Sequence, residues 1–147
     1  MSKIKSLRIQ KTIKIWNLLN DDKPKKTALT ISAKIGIHNR SLTVWDKINV
    51  PKQIQCLNRI SEILDVRFDD LFEYEFNPET RKTELKRIIL KEFMDVKGYT
   101  FDSLSKEIPY YKPRLRMWNK GELPSSIINF TNFCMEVETE PHLVLEY

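Results

Sequence analysis

Apolar residues recur along this chain at helical spacing, and the order in which they recur is itself repeated. Ile9, Ile13, Trp16 and Leu19 stand three or four apart, the interval that lines up side chains on one helix face, so a first helix is predicted within residues 4 to 19. Asn20-Asp21-Asp22-Lys23-Pro24 then interrupts the pattern with turn-forming residues. Thr27 is placed to cap a second helix carrying Ile31 and Ile35, and Gly36 to end it with a positive φ. A third helix starts near Asn39, buries Leu42 and Trp45, and stops before Pro51. Pro51 suits the first turn of a fourth helix whose stripe is Ile54, Leu57, Ile60 and Leu64. Phe68, Leu71 and Phe72 imply a short fifth helix opened by Asp69 and Asp70, since acidic residues are favourable at a helix start.

The same plan returns 73 positions later (118 minus 45 for the two tryptophans). Ser41-Leu42-Thr43-Val44-Trp45-Asp46-Lys47 matches Arg114-Leu115-Arg116-Met117-Trp118-Asn119-Lys120, and from there the offset runs without a gap to Tyr74 and Tyr147. Upstream it pairs Thr27 with Thr100, Ile31 with Leu104, and Ile35 with Ile108. A period of this kind is read before any local signal. Leu85, Ile88, Ile89 and Phe93 are predicted as the second copy's first helix, and Thr100 as the cap of its second. Leu115 and Trp118 mark its third helix, and Ile127, Phe130, Phe133 and Val137 its fourth. Phe76-Asn77-Pro78-Glu79-Thr80 reads as a polar linker. The expected fold is therefore all-α, with two tandem domains of about five short helices each, residues 1–76 and residues 81–147.

Composition narrows the class. With 41% apolar and 31% charged residues the chain is that of a globular protein. Its apolar runs are far too short to span a bilayer, and its start has basic residues but no apolar core of a signal, so a cytoplasmic address is expected. Cys56 and Cys134 do not occupy equivalent positions in the two copies, which argues for packing over a repeated disulfide or metal framework. The net charge of +5 lies wholly in the first half: up to Asn77 there are 14 Lys/Arg and 9 Asp/Glu, and thereafter 11 of each. Such a balance permits a polyanionic partner. No glycine-rich phosphate loop, no H-E-x-x-H and no nucleophile set with suitable spacing is present. Neither an enzyme nor a cofactor or metal is expected.

Two short helices around a tight turn, the second ending in Trp, are followed by a proline-started helix and the segment Val66-Arg67-Phe68-Asp69-Asp70-Leu71-Phe72. This arrangement resembles the Cro/repressor-type (Xre-like) helix-turn-helix family. In the first copy the resemblance is carried by Thr27, Ile31-Ser32-Ala33-Lys34-Ile35-Gly36-Ile37, Leu42, Trp45, Pro51 and residues 64–72; in the second by Thr100, Leu104-Ser105, Ile108, Leu115, Trp118, Gly121 and Pro124.

The resemblance implies that the third helix of each copy enters the major groove of double-stranded DNA. With Leu42 and Trp45 turned to the core, a rotation of about 100° per residue brings Arg40, Thr43, Val44 and Lys47 to the opposite face. In the second copy the same projection exposes Pro113, Arg116, Met117 and Lys120, flanked by Lys112 and Arg114. The expected DNA-binding residues are therefore Arg40, Thr43, Val44, Lys47, Lys112, Arg114, Arg116 and Lys120. The implied function is sequence-specific transcriptional regulation, with repression the expected mode, in a bacterium or phage. The alternative is a protein-binding role on the same scaffold, as an antitoxin or a phage-encoded inhibitor of a host defence nuclease, with the second domain gripping a protein. A second copy of the chain is a further candidate partner.

Overall fold

The computed structural model describes residues 3–37, 39–46, 50–108 and 112–147; the side chains of residues 39–41 also lie outside the description. In chain order the elements are β1 (Ser6–Leu7), α1 (Ile9–Leu19), α2 (Ala28–Ile35), α3 (Asn39–Trp45), α4 (Lys52–Leu64) and a 3-10 turn (Phe68–Leu71). They continue with β2 (Phe72–Asn77), β3 (Lys82–Ile88), α5 (Lys91–Lys97), α6 (Phe101–Glu107), α7 (Lys112–Lys120), α8 (Ser125–Glu136), α9 (Pro141–Val144) and β4 (Leu145–Glu146). Among the described residues no helix is long and apolar enough to cross a membrane.

The fold is mostly helical, yet it is mixed rather than all-α, because it contains two antiparallel two-stranded sheets, β1 with β4 and β2 with β3. The stretch expected to be a linker, Phe76–Thr80, is the end of β2 and the turn of a hairpin. Leu85 and Ile88, expected on a helix, lie in β3. A period of two explains this: Phe72, Tyr74 and Phe76 alternate with Glu73 and Glu75, and aromatic and β-branched residues suit a pleated surface. Tyr74 stands opposite Leu85 and Phe76 opposite Thr83, with a bulge between Glu73 and Tyr74. The Phe68 ring meets Phe72 edge-on at 5.2 Å and fixes the entry into the hairpin. Arg81 closes the turn at φ 55°. The fifth helix expected in the first copy is reduced to the 3-10 turn, and the second copy's first helix begins only at Lys91.

By internal contacts the chain forms two compact units, and each takes segments from both sequence copies. Unit 1 is residues 1–55 with 129–147, and unit 2 is residues 56–128. In unit 1, Ser6 and Leu7 of the first copy pair with Glu146 and Leu145 of the second. In unit 2, Phe72 and Glu73 of the first copy pair with Ile88 and Arg87 of the second. The two junctions are equivalent in detail: Arg8 N–H donates to Val144 O at 2.7 Å, and Ile89 N–H donates to Leu71 O at 2.7 Å. Leu71 precedes Val144 by 73 positions, but Arg8 precedes Ile89 by 81. The first copy therefore holds eight extra residues between its strand and Thr27, and they lengthen α1 and the loop after it.

Within unit 1, Lys26 Nζ donates to Glu136 O at 2.9 Å and Oε1 at 2.7 Å, and Lys34 Nζ reaches Oε1 at 3.0 Å. Burial pushes the Glu136 carboxyl up, but the hydrogen bonds from Lys26 and Lys34 outweigh it and hold the group below its ordinary value. Within unit 2, α7 packs against β3, and Gly121 takes φ +107° where an added Cβ would stand 3.0 Å from Lys86 O. Cys56 and Cys134 are free and buried. Leu115 is 0% and Trp118 2% exposed, so both anchor α7. Trp118→Ala should cost about 3–5 kcal/mol in chemical unfolding of the intact chain. A loss below about 1 kcal/mol would contradict this anchoring role.

Candidate nucleic-acid interface

Each unit contains a two-helix turn set up by local sequence. In unit 1, Thr27 caps α2: its Oγ1 accepts from Thr30 N–H at 3.1 Å, and its own N–H donates to Thr30 Oγ1 at 2.9 Å. The helix ends on Gly36 at φ 80°, a conformation glycine takes without a Cβ clash. In unit 2, Thr100 and Ser103 make the same reciprocal cap on α6, at 3.1 and 2.8 Å. These hydroxyl pairs satisfy backbone donors that the first turn leaves open. Behind each cap an apolar contact fixes the next helix. α2 packs on α3 and α6 on α7, with Ile31, Leu42, Leu104 and Leu115 each at most 1% exposed.

The residue after each tryptophan has a role that the motif did not reveal. Asp46 accepts from Ile9 N–H at 2.6 Å and Gln10 N–H at 2.9 Å, capping α1 from the end of α3. Asn119 Oδ1 accepts from Leu90 N–H at 2.9 Å and Lys91 N–H at 3.2 Å, capping α5 from α7. The third helix of each copy is thereby bolted to the helix that precedes the turn. The sequence signal was present, as the repeat conserves an amide or carboxylate after Trp, but the bonds span 28 to 37 positions, beyond any local pattern.

Asp46→Ala and Asn119→Ala should each lower stability by about 1–2 kcal/mol. Asp46 adds a pH dependence, because burial raises its pKa above the ordinary 3.8, against the lowering effect of the Gln10 and Ile9 hydrogen bonds. The folded chain thus holds this proton more tightly than the unfolded one, so ionisation opposes folding. The penalty is absent below 3.8 and develops as pH rises through 3.8 to the raised value. Asp46→Asn keeps an acceptor and removes the penalty. Urea unfolding should show the variant gaining stability over the parent at neutral pH and losing that gain near about pH 3. A gain that is larger at the acid end would contradict the burial argument.

The expected DNA-contacting residues divide between the units. In unit 1, Thr43 and Val44 are half-buried in α3 rather than fully turned to solvent. Arg40 falls in the α3 backbone with its side chain outside the described residues, and Lys47 lies outside them altogether. In unit 2, α7 gathers the other four. Arg114, Arg116 and Lys120 are exposed, as are Pro113 and Met117, and Lys112 is half-buried. The helix carries no acidic residue, and Lys120 stands in its last turn, where a cation complements the helix dipole.

Two neighbours on α6 shape this face, and neither was anticipated. The Arg116 guanidinium lies over the Phe101 ring at 5.7 Å from its centroid, an attraction that also restrains the arginine. Lys112 Nζ lies 3.6 Å from Asp102 Oδ1, so this cation is partly neutralised at home. The face of α7 thus offers a restrained arginine, a second exposed arginine and a terminal lysine. Comparison with family models, with curated proteins and with solved structures finds no match to this chain.

Proposed function

We propose that this protein binds double-stranded DNA with sequence preference and regulates transcription, acting as a repressor by occupying its site. The observation that carries this reading is the exposed face of α7, the second helix of a capped two-helix turn, which presents Arg114, Arg116 and Lys120 and has no acidic residue of its own. Its chemistry fits the major groove. An arginine held in plane can donate two parallel hydrogen bonds to guanine O6 and N7, Met117 supplies apolar contact for a thymine methyl, and Lys120 suits a phosphate. Resemblance to the Cro/repressor-type turn supports the regulatory part of the reading. In unit 1, α3 provides the corresponding helix, with Thr43 and Val44 at its centre.

Selection from a random duplex library by the intact chain tests the proposal. Enrichment of a defined motif, bound at least about a thousandfold more tightly than bulk duplex, is the expected outcome. Recovery of unenriched sequence would remove sequence-specific regulation and leave only charge-driven association.

A further inference from the structure

We propose that a cleft in unit 1, lined in part by Trp16, is a binding site for the phosphomonoester group of a small molecule. The proposal does not depend on DNA binding. The cleft has a volume of about 480 Å³, within the range of small-molecule sites. It is lined by the buried Trp16 and Ile31, by Pro24, and by the exposed Lys23, Lys25 and Lys34.

Specific bonds hold these residues in place. Asn17 on α1 fastens the far end of the loop that follows: its Nδ2 donates to Lys26 O, and its Oδ1 accepts from Lys26 N–H, both at 2.8 Å. Lys26 in turn lays its ammonium 4.5 Å from the centre of the Trp16 ring and donates to Glu136 Oε1 at 2.7 Å. The second copy has no counterpart. There α5 ends on Gly98, two residues before the cap Thr100, so the loop that carries Lys23, Pro24, Lys25 and Lys26 belongs to the eight-residue excess of the first copy.

Two observations define the ligand. Trp16 is 8% exposed, and its Nε1–H is buried with no acceptor among the described residues. A buried donor left unpaired is costly, so it points to an acceptor that the chain itself does not supply. The second observation is charge. Lys26 and Lys34 share the single carboxylate of Glu136, while Lys23 and Lys25 have no ion-pair partner among the described residues. Glu138 also lines the cleft, so Lys23, Lys25, Lys26 and Lys34 stand against two carboxylates and leave an excess of two positive charges. A phosphomonoester dianion matches that excess, whereas a carboxylate or a backbone phosphodiester supplies one charge. Phosphate oxygens accept from both kinds of donor present, ammonium and indole N–H. A water alone would leave the cations uncompensated.

Titration of the isotopically labelled intact chain with glycerol 1-phosphate tests the site, at about pH 8 where the phosphate is a dianion and at constant ionic strength with chloride as the control. The Trp16 indole N–H resonance, assigned by its absence in Trp16→Phe, should move saturably with a dissociation constant on the order of 1 mM. Chloride should leave it in place. Lys23→Gln with Lys25→Gln should weaken binding at least about tenfold, whereas Glu138→Gln removes a repelling charge and should tighten it about threefold or more. These three side chains are exposed, so the fold should survive both changes. A short duplex without terminal phosphates, at the same phosphate concentration, should move the resonance much less. No saturable shift, an equal shift with chloride, binding indifferent to the Lys23/Lys25 change, or a stronger response to duplex than to the monoester would each overturn the proposal.

Discussion

Residues 1–77, one complete sequence copy, should not fold alone. Unit 1 needs residues 129–147, which bring β4 to pair with β1 and Glu136 to bind Lys26 and Lys34. They also bring Phe130, Phe133, Val137 and Val144, each at most 3% exposed. The fragment's own end, from Cys56 onward, belongs to unit 2, whose hairpin would be cut between its strands. The expected loss is the entire stability of a small domain, about 5–15 kcal/mol. Circular dichroism and amide spectra of the fragment should be those of an unfolded chain. Mixing it with residues 78–147 should restore the dispersed spectrum of the intact protein, with a midpoint that depends on concentration. A cooperative melt from residues 1–77 by themselves would contradict the exchange of segments between copies.

The sequence made the two-helix turns legible in both copies. Thr27, Thr100, Gly36 and the buried Leu42, Trp45, Leu115 and Trp118 act through local spacing, and local spacing is what a sequence displays. Its blind spots were contacts made at long range. The hairpin is hidden because Phe76-Asn77-Pro78-Glu79-Thr80, its turn, is as polar and proline-containing as a linker between two copies would be. Helical spacing in Leu85-Ile88-Ile89 then competed with the two-residue alternation of Phe72, Tyr74 and Phe76, and pairing with a partner strand decided in favour of the latter. The exchange of segments was hidden for a related reason: a repeat states that two segments adopt the same local structure, not which copy each one packs against. At the candidate interface the exposure expected of Pro113, Arg116, Met117 and Lys120 agrees with the structure, and the flanking Arg114 is exposed too. The half-burial of Thr43 and Val44, the Asp102 partner of Lys112 and the Phe101 ring beneath Arg116 depend on neighbouring helices, which one helix's periodicity cannot report.

Replacing Arg114, Arg116 and Lys120 together by alanine should weaken binding of the selected duplex by roughly two to four decades, as one base-reading arginine is worth about 1–3 kcal/mol and phosphate contacts add to it. The slope of log K against log salt should flatten by about one for each phosphate contact removed. Stability should change little, because the three side chains are exposed. Arg116→Lys separates charge from geometry: it retains the cation but loses the planar fork and its stacking on Phe101, so preference among sequences should fall more than affinity for bulk duplex. Lys112→Ala should matter least of the four, its ammonium being shared with Asp102. Anisotropy titrations across a salt series read all of these quantities. A triple variant that binds like the parent would remove α7 from the interface.

Titration of the isotopically labelled intact chain with the selected duplex, followed through its backbone amides, tests the central claim most directly. The account predicts that the largest changes fall on the first turn of α6 and along α7, from Phe101 to Lys120 among the described residues, with the β2–β3 hairpin left unmoved. Changes confined to the hairpin or to the basic N-terminal helix, with α7 silent, would contradict it.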